Sequence, residues 1–300
     1  MILPDAAAPE TSDVLLFSWN VDQSRDALLL ACNYLAGAGN FIATFQEVPG
    51  DIDAAFLSSA AQGKLSVVKT LVIEISNRKK EDPLRYTQLV LACSAGLTQA
   101  TPTHWEDSRM IGASIAEGSG AWGPIGIAAI HAGSRGSSQG AKRIAKAVNA
   151  RASVDTFLPG SPKVVFGDFN ANPYEAEMCS PECFFALRNR DELASKLNKE
   201  PLYNPFWSWL AEVPAHGPAR GTLYYPSDES GFPWQCYDQI LLSKDLNVHA
   251  QPALIRCDLP KGADRQILTK KANDFRPKGA PYSDHLPVEL SLRFPGGNKK

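Results

Sequence analysis

The sequence has no apolar run approaching the roughly 18 residues needed to cross a bilayer. It also has no excess of charge of one sign. Its 30 Lys and Arg stand against 32 Asp and Glu, for a net charge of −2 and a pI near 6.2. The first absence excludes a membrane-spanning helix. The second excludes a strongly basic protein that coats nucleic acid through salt-sensitive phosphate contacts, though not one that meets phosphate with a metal ion. The opening MILPDAAAPETSD carries acids where a secretory signal carries bases, and it has no long apolar stretch. Cysteine is sparse. Of Cys32, Cys93, Cys179, Cys183, Cys236 and Cys257, only Cys179 and Cys183 are neighbours, and no second pair completes a structural zinc site. Cys32, Cys93 and Cys236 lie inside apolar stretches, as small hydrophobes do. Reduced thiols without a leader predict a cytoplasmic chain. No glycine-rich loop opens a helix, which removes a nucleotide-cofactor fold, and no repeat or linker divides the chain.

What remains is an ordinary globular composition, 44% apolar and 21% charged over 300 residues, enough for a large core. Residues 1–12 and 295–300, rich in Ala and Pro or in Gly and Lys, read as loose tails around one domain spanning 13–294. Short runs rich in β-branched and aromatic residues predict strands at Val14–Trp19, Phe41–Phe45, Val67–Ile75, Gln88–Cys93, Ile125–Ile130, Val164–Phe166, Gln239–Leu242 and Val288–Leu292. Helical patterns interleave with them at Ser24–Leu35, Gln139–Phe157 and Phe184–Leu197. In the second, Ile144, Val148 and Ala152 form the apolar face, and Arg151 falls outside it. The alternation predicts an α/β architecture. His216–Trp234, dense in Gly, Pro and Ser, reads as a long loop.

Polar residues punctuate the ends of these strands. Asn20 closes LLFSWN, Glu47 follows IATFQ, His131 closes IGIAAIH, Asp168 and Asn170 close KVVFGDFN, Asp238 opens DQILLS, and Asp284 and His285 precede LPVELSL. Singly, each is an ordinary turn former or cap. Together they form a set of hard oxygen donors with two imidazoles. Carboxylates and an amide carbonyl are what Mg2+ or Mn2+ selects over thiolate. An imidazole fixed by a carboxylate can donate or shuttle a proton near neutrality. The residue types therefore predict metal-assisted attack of water on a phosphate ester.

In this order, the motifs WN, QE, a His-ended strand, GDFN, YDQI and SDHLPV resemble the endonuclease/exonuclease/phosphatase superfamily over residues 13–294. The resemblance implies a four-layer α/β sandwich: two mixed β-sheets face to face, each supplied by one half of the chain, with helices outside. It implies a Mg2+ (or Mn2+) site at Glu47 with Asn20 and Asp284. It implies that Asp168 orients or deprotonates the attacking water and Asn170 grips phosphate. His285 is implied as the acid or base at the phosphate, oriented by Asp238. His131 is implied as the second histidine of the deoxyribonuclease I-like branch. No acidic partner for His131 is found where one is expected, near Arg85 and Tyr86, and Gln239 of YDQI has no assigned role.

The substrate stays open at this stage. Nucleic acid is favoured by the two histidines and by residues 256–278, where seven basic side chains face three acidic ones. A small phosphoester or a phospholipid headgroup, of the inositol phosphate or sphingomyelin type, is the alternative. Tyr224, Tyr225, Phe232 and Trp234 either stack on bases or close the sandwich edge, and Trp207 and Trp209 read as core. A non-catalytic binding module is disfavoured because Glu47, Asp168 and His285 are all present. Nothing in the sequence identifies a protein partner.

Overall fold

The computed structural model describes residues 13–74, 86–107, 109–118, 122–133, 140–160, 162–189, 199–212, 221–224, 234–249, 251–256 and 283–294. Among them, two mixed sheets dominate. The first runs β14 (Gln251–Arg256), β15 (Val288–Arg293), β1 (Asp13–Asn20), β2 (Asn40–Pro49), β4 (Tyr86–Ser94), β3 (Leu65–Glu74). The second runs β5 (Leu97–Asp107), β6 (Met110–Glu117), β7 (Ile125–His131), β8 (Lys163–Asp168), β13 (Asp238–Ser243), β10 (Leu202–Tyr203), β9 (Ala186–Leu187). A two-stranded ribbon pairs β11 (Leu223–Tyr224) with β12 (Trp234–Gln235) inside the segment read as a long loop. The helices are α1 (Arg25–Ala36), α2 (Ala54–Ala60), α3 (Gly140–Phe157), α4 (Ala176–Cys179), α5 (Pro205–Glu212) and α6 (Lys244–His249).

Strand alternation builds the layers, because successive side chains point to opposite faces. Val14 and Leu16 of β1, Ile125, Ile127 and Ala129 of β7, Val164 and Phe166 of β8, and Ile240 and Leu242 of β13 point between the sheets into one apolar layer. The opposite face of the first sheet, with Phe17, Trp19, Phe41 and Phe45, is covered by Leu28, Cys32 and Leu35 of α1 and Leu57 of α2. The opposite face of the second, with Val165 and Leu241, is covered by Ala147 and Val154 of α3 and Met178 of α4. Side-chain oxygens fix two helix starts: Ser24 Oγ accepts from Ala27 N–H and Asp53 Oδ1 from Phe56 N–H. The architecture is the expected four-layer sandwich.

Three expectations need correction. The chain halves do not divide cleanly between the sheets, since β14 and β15 return to the first sheet and β15 pairs antiparallel with β1, Ser18 opposite Val288. That return carries Asp284 and His285 to the end of β1. The helix expected from Phe184 is absent over its described part: Cys183 and Phe184 lie in a turn, Phe185 has φ 52°, and β9 pairs with β10. Tertiary contacts override the local pattern there, with Phe184 edge-on to Phe169 and its carbonyl accepting from Arg151. On α3, Ile144 and Val148 pack against the core as expected, but the next turn departs from the expected face. Arg151 is only 1% exposed, donating to Asp155 and to the carbonyls of Phe184 and Glu200, while Ala152 is exposed. A fully hydrogen-bonded guanidinium can be buried where the sequence pattern puts a surface charge.

Candidate active site

The inward alternation of four strands continues past the apolar layer and changes residue type at one edge. Val14, Leu16 and Ser18 lead to Asn20, and Ile125, Ile127 and Ala129 lead to His131. Val164 and Phe166 lead to Asp168, and Leu242 and Ile240 lead to Asp238. Strand register puts three of these ends in one row, His131 opposite Asp168 and Asp168 opposite Asp238. Asn20 lies opposite Gln46 across the parallel β1–β2 pair.

Glu47 reaches this row by a backbone irregularity. Its φ is 52° and the β2–β4 register shifts between Phe45 and Val48, as at a β-bulge. A left-handed non-glycine residue of this kind costs about 1–3 kcal/mol and persists where surrounding structure imposes it. Asn170 is likewise left-handed, φ 49°. Gly167 has φ 139°, and a Cβ on it would lie 2.0 Å from the Ile130 carbonyl oxygen, so only glycine fits between β7 and β8.

Side-chain contacts knit the row together. Asn20 Nδ2 donates to Glu47 Oε1 at 3.1 Å and to Asp168 Oδ2 at 3.2 Å. His131 Nε2 lies 3.5 Å from Glu47 Oε1 and 3.9 Å from Asp168 Oδ2. Asn170 Nδ2 donates to Asp168 Oδ2 at 3.1 Å and its backbone N–H to Oδ1 at 2.8 Å. His285 Nδ1 and Asp238 Oδ2 are 2.7 Å apart. Seven of the eight expected residues (Asn20, Glu47, His131, Asp168, Asn170, Asp238 and His285) thus share one edge. Asp284 adjoins them, half-buried, with its Oδ1 3.5 Å from Ser283 Oγ and no hydrogen bond to the other seven among the described residues. Of the expected substrate contacts, Tyr225 lies outside the described residues. Trp234 sits half-buried against the inter-sheet core, which favours the edge-closing reading. Phe232 and residues 257–282 also lie outside the description, as does Arg85. His131 Nδ1 is buried without a hydrogen-bond partner among the described residues.

Electrostatics separates the roles. Burial would raise the Glu47 pKa, but the hydrogen bond and charge of His131, with the Asn20 amide, hold it down to about 2. Burial and the facing Asp238 raise that of Asp168 against the pull of His285 and His131. Burial would depress His285, yet the Asp238 carboxylate lifts it well above the usual imidazole value.

Several supporting residues carry no sequence signal of their own. Thr222 Oγ1 accepts from the Tyr237 and Asp238 N–H groups, fixing the start of β13. Ser283 Oγ donates to the Asn20 carbonyl at 2.5 Å and accepts from His285 N–H at 2.9 Å, joining the SDH turn to β1. Trp19 Nε1 donates to the His285 carbonyl. Only Trp19 and Ser283, inside the WN and SDHLPV motifs, had any cue. Tyr174 is 55% exposed four residues after Asn170.

No helix among the described residues is long and apolar enough to cross a membrane. The structure is similar to the human Nocturnin catalytic domain with bound sulfate: 16% identity, TM-score 0.55, with 96% of each chain covered. It is similar to a Bacteroides thetaiotaomicron mannosyl-6-phosphatase, with 11% identity, TM-score 0.57, and 94% of this chain and 100% of that one covered. It also resembles D. rerio TDP2 complexed with a single-strand DNA product, with 16% identity, TM-score 0.52, and 94% and 99% coverage. These likenesses are of fold. No curated protein matches the sequence. The family model for endonucleases, exonucleases and phosphatases matches residues 17–285, from the strand before Asn20 to His285 itself. The chain therefore belongs to the Endonuclease/Exonuclease/phosphatase family, whose members are hydrolases of phosphoester bonds and generally use divalent metal ions.

Proposed function

We infer that this chain is a Mg2+- or Mn2+-dependent phosphodiesterase acting on nucleic acid. The observation that carries the reading is the single buried row in which Asp168 stands between His131 and Asp238, with Glu47 and His285 at its flanks.

The donor set fits a hard divalent cation. Glu47 is held ionised, its side chain is 29% exposed, and Asn20 Nδ2 ties it to Asp168 Oδ2. Among the described residues no three His, Cys, Asp or Glu side chains are grouped so as to hold a metal ion by themselves. Mg2+ commonly takes one or two carboxylates, waters and substrate phosphate, so an open set suits it. Glu47, with Asp284, would hold the ion, and Asn20, whose Oδ1 accepts from Asp22 N–H and whose Nδ2 donates to Glu47, would hold that ligand in place. When bound, it would neutralise charge on the phosphate and lower the pKa of water or of the leaving oxygen.

The chain's own groups do the rest. Asp168 Oδ2, receiving Asn20 and Asn170 amide hydrogens, is fixed in place to orient water and accept its proton. Asn170 Nδ2 gives its two hydrogens to Asp168 Oδ2 and the Ala132 carbonyl, so this residue holds the carboxylate to the loop after β7 and meets a phosphate oxygen only by exchanging one of them. His285, kept protonated by Asp238, presents positive charge and a proton toward the phosphate.

Two observations support a polymeric substrate. A cleft of about 690 Å3 on the α3 side of the second sheet meets the site at Asn170 alone and has Arg109, Arg143 and Lys146 on its walls. Arg143 is held by Glu175 and Glu177. Exposed Tyr174 adds a surface for stacking on a base. The test is hydrolysis of circular and linear DNA, RNA and a soluble phosphomonoester, each with Mg2+, Mn2+ or EDTA. Metal-dependent cleavage of DNA or RNA is expected. Turnover of the monoester alone would move the substrate to the small phosphoesters, and full activity in EDTA would refute the metal.

A further inference from the structure

Behind the catalytic row, on the opposite face of the second sheet, lies a chain of buried amides that the mechanism above does not use. Gln239 follows Asp238 on β13, so alternation turns it away from the site. It is fully buried, as is Asn204, and Asn172 is 3% exposed. Gln239 Nε2 donates to the Ala171 carbonyl at 2.6 Å and to the Cys236 carbonyl at 2.9 Å, and its Oε1 accepts from Asn204 Nδ2 at 2.7 Å. The turned-over amide would set an oxygen against two carbonyls, so this orientation is the one the neighbours permit. Asn204 is fixed in turn, its Oδ1 accepting from Phe206 N–H. Asn172 makes a parallel tie: its Oδ1 accepts from Cys236 N–H, and its Nδ2 donates to Gln235 and Glu175.

The two carbonyls held by Gln239 belong to two different parts of the site. Ala171 directly follows Asn170 in the loop after β8, and Cys236 lies two residues before Asp238. Between them, Asp168 and Asp238 face each other across adjacent antiparallel strands, and like charges directly opposite repel. Gly167, opposite Gln239 in the register, has no side chain to brace that spacing.

Resting on the active-site reading above, we propose that Gln239 is a positioning residue: it clamps the Asp168–Asn170 loop to the start of β13 and so sets the distance between the water-orienting carboxylate and the Asp238–His285 pair. Buried amides satisfied on every side are stiff, and their removal leaves carbonyls without donors. A displacement of reacting groups by about 1 Å costs on the order of a hundredfold in rate.

The comparison is between Gln239→Met and Leu241→Ala, the latter on the same face of β13, opposite Val165 and with an apolar side chain that hydrogen-bonds neither loop. Both are assayed at a temperature where each is folded, on whichever of plasmid DNA, RNA and p-nitrophenyl phosphate the unaltered enzyme hydrolyses fastest with Mg2+. Gln239→Met is expected to lose about a hundredfold in kcat, and Leu241→Ala to keep the unaltered kcat despite its cavity. In metal-free protein, hydrogen exchange should show lost protection at Phe169 and Asn170 N–H, which bond Tyr237 O and Asp168 Oδ1, in Gln239→Met alone. Should Gln239→Met not fold, Asn204→Leu, which removes the donor that orients Gln239, carries the same comparison. Unchanged kcat, or losses in both variants that track melting temperature, would overturn the proposal. Asp168→Asn separates the levels: if it is inactive while Gln239→Met is fully active, only the positioning role fails, and if it is fully active the site reading itself fails.

Discussion

Replacing Asp238 by Asn tests the charge logic of the site with little change of shape. The carboxylate oxygen lies 2.7 Å from His285 Nδ1, and both side chains are buried, at 0% and 9% exposure. An Asn carbonyl can still accept from Nδ1–H, so the substitution removes charge while leaving a hydrogen bond available. In the wild type the raised His285 pKa means the folded state binds a proton that the unfolded state releases near pH 6.5. The pair's contribution to stability is therefore fully present below about pH 6.5 and is lost as pH rises through the folded pKa. Asp238→Asn should accordingly destabilise most at pH 6, where removing one partner of a buried pair costs about 3–5 kcal/mol. It should destabilise less at alkaline pH above the folded His285 pKa, where a neutral imidazole no longer needs the partner. Activity should fall by about 10²–10⁴-fold, the upper figure being that of an Asp-to-Asn change behind a serine-protease histidine. The alkaline limb of the pH–rate profile should move to lower pH. Thermal melts at the two pH values, with kcat across pH 5–10, measure all three effects. Equal destabilisation at both pH values with an unmoved alkaline limb would refute a charged Asp238–His285 pair.

The strands that carry the site were legible because they combine two signals: a run of β-branched or aromatic residues and a polar residue in register with the buried face. Val14, Leu16, Ser18 and Asn20 show the pattern in one line of sequence, as do Val164, Phe166 and Asp168. The pattern marks where an apolar layer ends in a polar one, and it put Asn20, His131, Asp168 and Asp238 at strand ends without knowledge of the pairing. Glu47 is different. Strict alternation from Ile42 and Thr44 puts Gln46 on the inner face, and only the left-handed backbone at Glu47 brings the next residue into the site. Propensity carries no sign of that bulge. Nor does it show the return of β15 to β1, a contact between residues more than 250 positions apart. The β5–β6 hairpin escaped for a local reason. Met110–Glu117 is built of Gly, Ala and Ser between its larger residues, and its strand state comes from pairing with β5 and β7. Thr222, Asn204 and Gln239 act through buried side-chain hydrogen bonds, which leave no periodic trace in the sequence.

Removing Glu47 as Glu47→Ala should weaken Mg2+ binding at least about tenfold by calorimetry; unchanged affinity would count against its role as ligand. Asp168→Asn should lower kcat by about 10²–10⁴-fold. Tyr174→Ala should raise KM for single-stranded DNA severalfold with kcat unchanged, the signature of binding lost equally in ground and transition states. Gly167→Ala should damage fold and activity together. A Cβ at 2.0 Å from the Ile130 carbonyl must be relieved by backbone movement of about 1 Å, since such contacts are not found below 3.0 Å. That movement opens β7 from β8 one residue before His131 and Asp168, so the row itself is pulled apart. Gly63→Ala is the control. Gly63 has φ 75° with nothing within 4 Å of the added carbon, so only the left-handed strain of about 1 kcal/mol applies. Gly167→Ala should melt well below Gly63→Ala and lose about a hundredfold in kcat where it remains folded. Matching melting temperatures and rates would show that the β7–β8 spacing is not what fixes His131 against Asp168.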